Sequence, residues 1–502
     1  MNKKISEEQF KDLMRLSKNI SVTGFRWSGT PQLLLRLTRE IFDEEKEPNN
    51  VSIIFTSSPT DPGIDYLAHP KLLSCSFGSY YGSIPKIRNL VQNNLIEGYS
   101  LPQGQISLLF REIARGGPGI ISKVGLNTYV DPDLNGGKLN KITIKDVVKK
   151  INIDDEEYLL YKPFNIDTAL IRGTIADKHG NISMKNEPIK TEFLSMAQAT
   201  KTLKGKVYVQ VCEENSEVLS PAEIDLPSHL VDGYLVTNDP ENDHRQTNKF
   251  FFHDDFLSRS NQDKELNDIG DPSYKKIIAK NALKYISSNL KIVIGQGIPE
   301  LVGVSLRKNN KLFKNFITFM ESGVIGGIPE RRPDFGVAFG PSSFLTQDNQ
   351  FVGFNGGHMD VAILSFVEFD KFGNVNVSVL GNDYYGCGGY IDICHSVKTI
   401  LFVGSFTAKG LQVENIDNKI FIKKEGTIFK AVKNVKEITF SPISHNKNKK
   451  IFIITERCIF SVEDNKIILK EVYDGIDIQK DVLDKMEFIP EIDDKIIINK
   501  EQ

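Results

Sequence analysis

The chain has 502 residues, enough for two large domains or about three of ordinary size. With 40% hydrophobic and 25% charged residues it reads as globular, and no run of about 18 uncharged apolar residues offers a membrane span. Lys plus Arg number 62 against 65 for Asp plus Glu, and a net charge of −3 leaves no electrostatic footprint for nucleic acid or an anionic membrane. Cys75, Cys212, Cys387, Cys394 and Cys458 are scattered without a CxxC pair, which argues against a disulfide framework or a zinc ribbon and fits a reducing compartment. The opening MNKKISEEQFKDLMRL lacks an apolar signal region, so a cytoplasmic location is expected.

Ile20 to Thr23 reads as a short apolar strand ending at Gly24 and the loop FRWSGT. Pro31 opens a helix, QLLLRLTREIFDE, with Leu33, Leu34, Leu37 and Ile41 at helical spacing. VSIIFTSSP follows as a β-branched run closed by Ser and Pro. Strand, Gly-loop, helix, strand is the pattern of an open, mostly parallel α/β sheet, and further strands are expected at Val207–Val211 and Val231–Val236. From Asp239 to about Pro272 the chain is polar and aperiodic, a linker between domains or else a long surface loop. The expected division is a first domain over 1–240, a linker over 241–272 and a second domain over 273–502.

The same pattern then restarts. YKKIIAKNALKYI places Ile278, Ala282, Tyr285 and Ile286 on one helical face, and the strand KIVI runs into GQGIPELV. Thr30-Pro31 and Ile298-Pro299, 268 residues apart, each open a helix after a strand and a Gly-loop. Asp177-Lys178-His179-Gly180-Asn181 and Asp370-Lys371-Phe372-Gly373-Asn374, 193 apart, share a tight D-K-x-G-N turn. Both matches occur in the same order, which predicts two similar α/β domains in tandem and a ligand cleft between them.

Gly295-Gln296-Gly297 after a strand could cradle a phosphate at a helix N-terminus, or form only a tight turn; it lacks the third Gly of a dinucleotide fingerprint. The sequence holds no Walker A motif, no GxSxG elbow and no HxxxH or HExxH pair. In FITFMESGVIGGIPERRPDFG, the strand Phe316 to Met320 delivers Glu321 into a run with Gly323, Gly326 and Gly327. A carboxylate there is costly unless it is used or reaches the surface. A second cluster, Gly386, Gly388 and Gly389 in NDYYGCGGYIDI, offers backbone N–H groups for an oxyanion hole. Cys387 within it is either a nucleophile or a small apolar filler.

Glu321-Ser-Gly-Val-Ile-Gly-Gly-Ile-Pro329 resembles the nucleophile motif of the family I CoA-transferases, in the single-chain acetate/propionate branch. The resemblance spans nearly the whole chain in order. It runs through Thr23-Gly24-Phe25, Pro102-Gln103-Gly104, Phe110-Arg111-Glu112 and Ala169–Thr174. It continues through Gly295-x-Gly297-x-Pro299-Glu300, Gly356–Asp360, Gly386–Gly389, Gly404–Ala408 and Ile454–Cys458.

This resemblance implies Glu321 as nucleophile, with an oxyanion hole from the Gln103 side-chain amide and the Gly389 N–H. It implies CoA contacts at Gly295, Gly297, Gly326, Gly327 and Gly388. It further implies two fused α/β domains, a homo-dimer or tetramer, and ping-pong transfer of CoA between short-chain acids such as acetate, propionate, butyrate and lactate. Coenzyme A would be substrate and covalent intermediate, with no permanently bound cofactor and no metal. Acyl-CoA hydrolysis on the same scaffold, 3-oxoacid CoA transfer and a catalytically silent CoA-binding subunit are the alternatives. The chain departs from the branch at Glu330-Arg331-Arg332, where small residues are common, and at Val352–His358, where GGH-x-D is similar to the second subunit of 3-oxoacid CoA-transferases. Arg26-Trp27-Ser28-Gly29 is also unusual. Arg26, Arg331 and Arg332 are candidates for a CoA phosphate or a second carboxylate, or are solvated. Phe354-Asn355 and His358 are candidates for the acyl pocket, or for a buried turn.

Overall fold

In a computed structural model, residues 3–60, 62–259, 271–308, 316–444 and 449–499 are described. Seven short strands of the first half pair side by side, all parallel. They are β1 (Asn19–Val22), β2 (Val51–Ile54), β3 (Leu73–Gly78), β4 (Glu97–Ser100), β5 (Thr168–Arg172), β6 (Lys206–Val211) and β7 (Gly233–Val236), in the order β7-β6-β5-β1-β2-β3-β4. The interior strand β5 is buried along its whole length, as a parallel sheet covered on both faces requires. Helix α1 (Gln32–Glu45) buries Leu33, Leu34, Leu37 and Ile41, the face expected from its spacing. Residues 228–230 form a 3₁₀ turn, so the last strand starts at Gly233 rather than Val231.

The second half repeats the plan. Five parallel strands, β8 (Lys291–Ile294), β9 (Ile317–Phe319), β10 (Val361–Ser365), β11 (Thr399–Val403) and β12 (Lys450–Ile454), run in the order β9-β8-β10-β11-β12. Short antiparallel strands extend the sheet beyond β9, and beyond β12 two antiparallel strands and a last one paired in parallel bring it to ten. A shift of 193 residues carries β5 onto β10, Ile175–Asp177 onto Glu368–Asp370 and Ile182–Ser183 onto Val375–Asn376. The two D-K-x-G-N turns close in the same way. Asp177 accepts from the backbone N–H of His179 and Asn181 and from the Asn181 amide, and Asp370 from the corresponding groups of Phe372 and Asn374.

The helix α4 (Ser273–Ala282) ends earlier than its pattern suggests; for numbering, α2 is Gln103–Ala114 and α3 is Phe193–Thr202. Leu283–Tyr285 tightens into a 3₁₀ turn and Ile286 is extended, so Tyr285 and Ile286 do not share the face of Ile278. Between the sheets, His244, Gln246 and Phe256 are buried, and Gly340 donates to the Asp255 carbonyl at 2.7 Å. Residues 260–270 of the expected linker lie outside the described residues. Among the described residues no helix is long and apolar enough to cross a membrane.

Candidate active site

A cavity of about 320 Å³ lies between the halves, lined by Arg26, Ser57 and Gln103 of the first and by Gly295, Glu321 and Gly388 of the second. Glu321 reaches it through a sharp turn after β9. Met320 is buried, and the Gly323 N–H returns to the Met320 carbonyl at 3.0 Å. Gly323 has φ +94°, and a Cβ there would meet the Leu345 carbonyl oxygen at 2.2 Å, so the turn requires glycine.

Gly389 caps the N-terminus of a helix, Tyr390–Ser396, and donates its N–H to Glu321 Oε2 at 3.1 Å. A Cβ on Gly389 would sit 2.5 Å from that same oxygen and 3.1 Å from the Phe351 ring. Glu321 itself is half-buried. Desolvation pushes its carboxyl up to about 7, against the Gly389 N–H and the Arg26 charge, while the Asp392 carboxylate adds to the rise. A carboxylate with a raised pKa is a better nucleophile than an ordinary one, and still ionises near neutral pH.

Gln103 is the first residue of α2 and is 1% exposed. Its backbone N–H donates to the Gly388 carbonyl at 3.0 Å, so the loop of one half seats directly on the helix of the other. Its side-chain Nε2 donates to Ser57 Oγ at 3.0 Å, and Gln347 Nε2 donates to the same hydroxyl at 2.8 Å. Asp392, fully buried, closes the arrangement by accepting from the Gly104 N–H at 2.9 Å and from Gln105 Nε2 at 2.8 Å. Burial pushes the Asp392 carboxyl up to about 7 against these donors.

The remaining sequence candidates divide. Gly295 and Gly388 line the cavity with Glu321, whereas Gly297, Gly326 and Gly327 do not. Gly326 and Gly327, at φ +73° and +72°, turn the chain against Ser342 and Phe339, where a Cβ would meet neighbouring atoms at 2.4 and 2.6 Å. Arg26 and Arg332 line the cavity, but Arg331 is turned away into a bidentate pair with Asp271 at 2.9 and 3.0 Å. Trp27 does not line the cavity, and its carbonyl accepts from Arg172 Nη1 at 3.0 Å.

The expectation that Phe354, Asn355 and His358 line an acyl pocket is not met. Phe354 is in the core, His358 is exposed at the turn ending the helix Gln347–Asn355, and none of the three reaches the cavity. Cys387 is buried, and its thiol is driven far above its usual range by desolvation, so it fills space rather than offering a thiolate. Ser57 and Asp392 belong to the site without having been singled out. Ser57 stands in a Ser-Pro strand terminus like many others, while Asp392, three residues after Gly389, sits at a helix N-terminus that favours a carboxylate.

A tandem α/β fold with a half-buried strand-end carboxylate held by a helix-capping N–H, in a cavity that the other half closes with Gln103, defines a CoA-transferase, and the chain belongs to the coenzyme A transferase family, which matches residues 12–236. It is similar to single-chain members. It is 35% identical to the caffeate CoA-transferase of Acetobacterium woodii over 98% of this chain and 95% of that one. It is 34% identical to the acetate CoA-transferase YdiF of Escherichia coli K12, over 93% of this chain and 88% of that protein. The crystal structure of acyl-CoA transferase YdiF of Escherichia coli O157:H7 as a thioester complex with CoA matches with a TM-score of 0.91 at 31% identity, covering 99% and 95% of the two chains.

Proposed function

We propose that the protein transfers CoA between a short-chain acyl-CoA and a free carboxylate of the acetate, propionate, butyrate and lactate class, through a glutamyl-CoA thioester at Glu321. The observation that carries this reading is the Glu321 carboxylate held by the Gly389 N–H in the cavity that Gln103 also lines. Glu321 attacks the acyl-CoA carbonyl, forming an acyl-glutamyl anhydride and releasing CoA thiolate. The thiolate attacks the glutamyl carbonyl, expelling the acid and leaving glutamyl-CoA, and an incoming acid runs the steps backwards.

When the glutamyl carbonyl becomes tetrahedral, its negative oxygen develops where Oε2 already meets the Gly389 N–H, which supports an oxyanion role for that group. The Gln103 amide, fixed by Ser57, is the second donor in this reading. The relatives named as transferases, and a YdiF structure described as a thioester complex with CoA, support transfer over hydrolysis. We read the halves as domains 1–240 and 273–502 joined by 241–272.

The test is intact-protein mass after incubation with acetyl-CoA, followed by peptide mapping. The adduct of one CoA is expected on the Glu321 peptide, lost in Glu321→Ala and kept in Cys387→Ala. Transfer from acetyl-CoA to propionate, butyrate, lactate and caffeate, and from propionyl-CoA to acetate, then sets the range of acids. An adduct on Cys387, or native exchange by a folded Glu321→Ala protein, would overturn the proposal.

A further inference from the structure

Arg26 occupies an unusual backbone position. Its φ is +56°, a region a non-Gly side chain adopts only when its surroundings enforce it. Here they do. The Arg26 N–H donates to the Ser58 carbonyl at 3.0 Å, and its carbonyl accepts from the Thr60 N–H at 3.0 Å and the Thr30 hydroxyl at 2.5 Å. The strain is used to turn the side chain into the cavity that contains Glu321.

Among the described residues, one of the five N–H donors on the guanidinium is engaged, by Nη1 to Ser83 Oγ at 2.7 Å. Tyr80, Glu321 and Arg332 line the same cavity, and Glu300 lies near enough to act on its charge. Arg332 reaches instead to Gln296 Oε1, and Glu300 is approached by Arg331 at 3.8 Å. Of the carboxylates acting on Arg26, Glu321 is the one that shares the cavity with it.

We propose that Arg26 is the docking group for the carboxylate of the acid substrate, and that this dock opens when Glu321 is converted to its CoA thioester. The inference rests on the glutamyl-CoA reading. Thioester formation turns a carboxylate into a neutral acyl group, and the cavity is left with a guanidinium whose facing charge has gone. A monocarboxylate entering at that moment restores the balance, whereas in the free enzyme it meets Glu321, a second carboxylate. The order of a ping-pong reaction is thereby written into the charge of the cavity.

Once docked, a carboxylate oxygen of the acid forms a bond to the glutamyl carbon while the C–S bond breaks and CoA leaves as thiolate. The thiolate then attacks the acyl carbonyl of the anhydride, and Glu321 departs as a carboxylate to face Arg26 again.

Arg26→Asn is the informative variant, because asparagine tolerates the left-handed backbone and is too short to reach the dock. Arg26→Lys keeps the charge. The measurements are KM for propionate, KM for acetyl-CoA, and the CoA adduct by intact mass. Arg26→Asn is expected to form the adduct and to raise KM for the acid about ten- to a hundredfold, with KM for acetyl-CoA moving far less, and Arg26→Lys to restore part of the loss.

An unchanged KM for propionate in an adduct-forming Arg26→Asn protein would overturn the proposal. So would equal rises in both KM values, the mark of a CoA-phosphate anchor, or a loss confined to dicarboxylates, the mark of a distal-carboxylate pocket. If the wild-type protein carried no adduct, the glutamyl-CoA reading would fall first and this inference with it.

Discussion

Gly389→Ala perturbs the nucleophile without perturbing the fold. The residue has φ −83° and ψ 2°, which alanine adopts freely, so the substitution asks nothing unusual of the backbone. The methyl group, however, would stand 2.5 Å from Glu321 Oε2, where ordinary contact begins near 3.4 Å. The Phe351 ring, at 3.1 Å, blocks retreat in the other direction. The carboxylate must therefore move by nearly 1 Å, off the N–H that orients it. A displacement of that size in a reacting group costs about 10²-fold, and loss of an oxyanion donor about 10²–10³-fold, or about 3–4 kcal/mol of transition-state stabilisation. Turnover of acetyl-CoA with propionate should fall by that factor, with the Tm within a few degrees of wild type. A Gly389→Ala protein with native kcat would refute the placement of Glu321 on this donor, and a collapsed Tm would show that the glycine serves packing instead.

Gln103→Ala should lower kcat by about 10²–10³-fold with little change in protein yield, checked by steady-state assay and melting. Because Glu321 must be ionised to attack and its carboxyl is raised to about 7, kcat/KM should fall as pH drops through that value; Asp392→Asn, which removes one cause of the rise, should move the midpoint of the acid limb to lower pH. Arg172 and Glu187 form a buried ion pair at 2.7 Å, so Arg172→Met should destabilise the protein by about 3–5 kcal/mol in urea titrations by stranding Glu187. Burial raises the Glu187 carboxyl but the Arg172 charge and His244 hold it down to about 2, so the pair's contribution should be complete above pH 4.5 and lost as pH falls toward 2.

The strands near Ile20, Val51, Val207, Val231, Lys291 and Phe316 were legible because period and punctuation are local, whereas β3, β4, β5, β10, β11 and β12 emerge only from the structure. Ile20, Gly24, Pro31 and Leu33 announce strand, turn and helix within fifteen residues, and the D-K-x-G-N turns repeat the same side-chain-to-backbone bonds at 177 and 370. Glu321 and Gly389 stand out as residues placed among glycines, and the structure brings them within 3.1 Å. Ser57 could not be separated from Ser58 by any pattern, since its place in the site is set by contacts with Gln103 and Gln347, 46 and 290 residues away. Arg331 and Arg332 looked equivalent side by side, yet a bidentate partner at Asp271 turns one of them out of the cavity. His358 followed a glycine pair that suggested a pocket, where the glycines in fact release a helix terminus to solvent.

Gln103 belongs to one sheet's half and Glu321 and Gly389 to the other, held together by the bonds from Gln103 to the Gly388 carbonyl and from Gly104 and Gln105 to Asp392. A thermal excursion that parts the halves while each sheet stays intact would erase turnover without melting either one. Inactivation and unfolding need not share a midpoint in this protein, and the gap between them measures the strength of the seam.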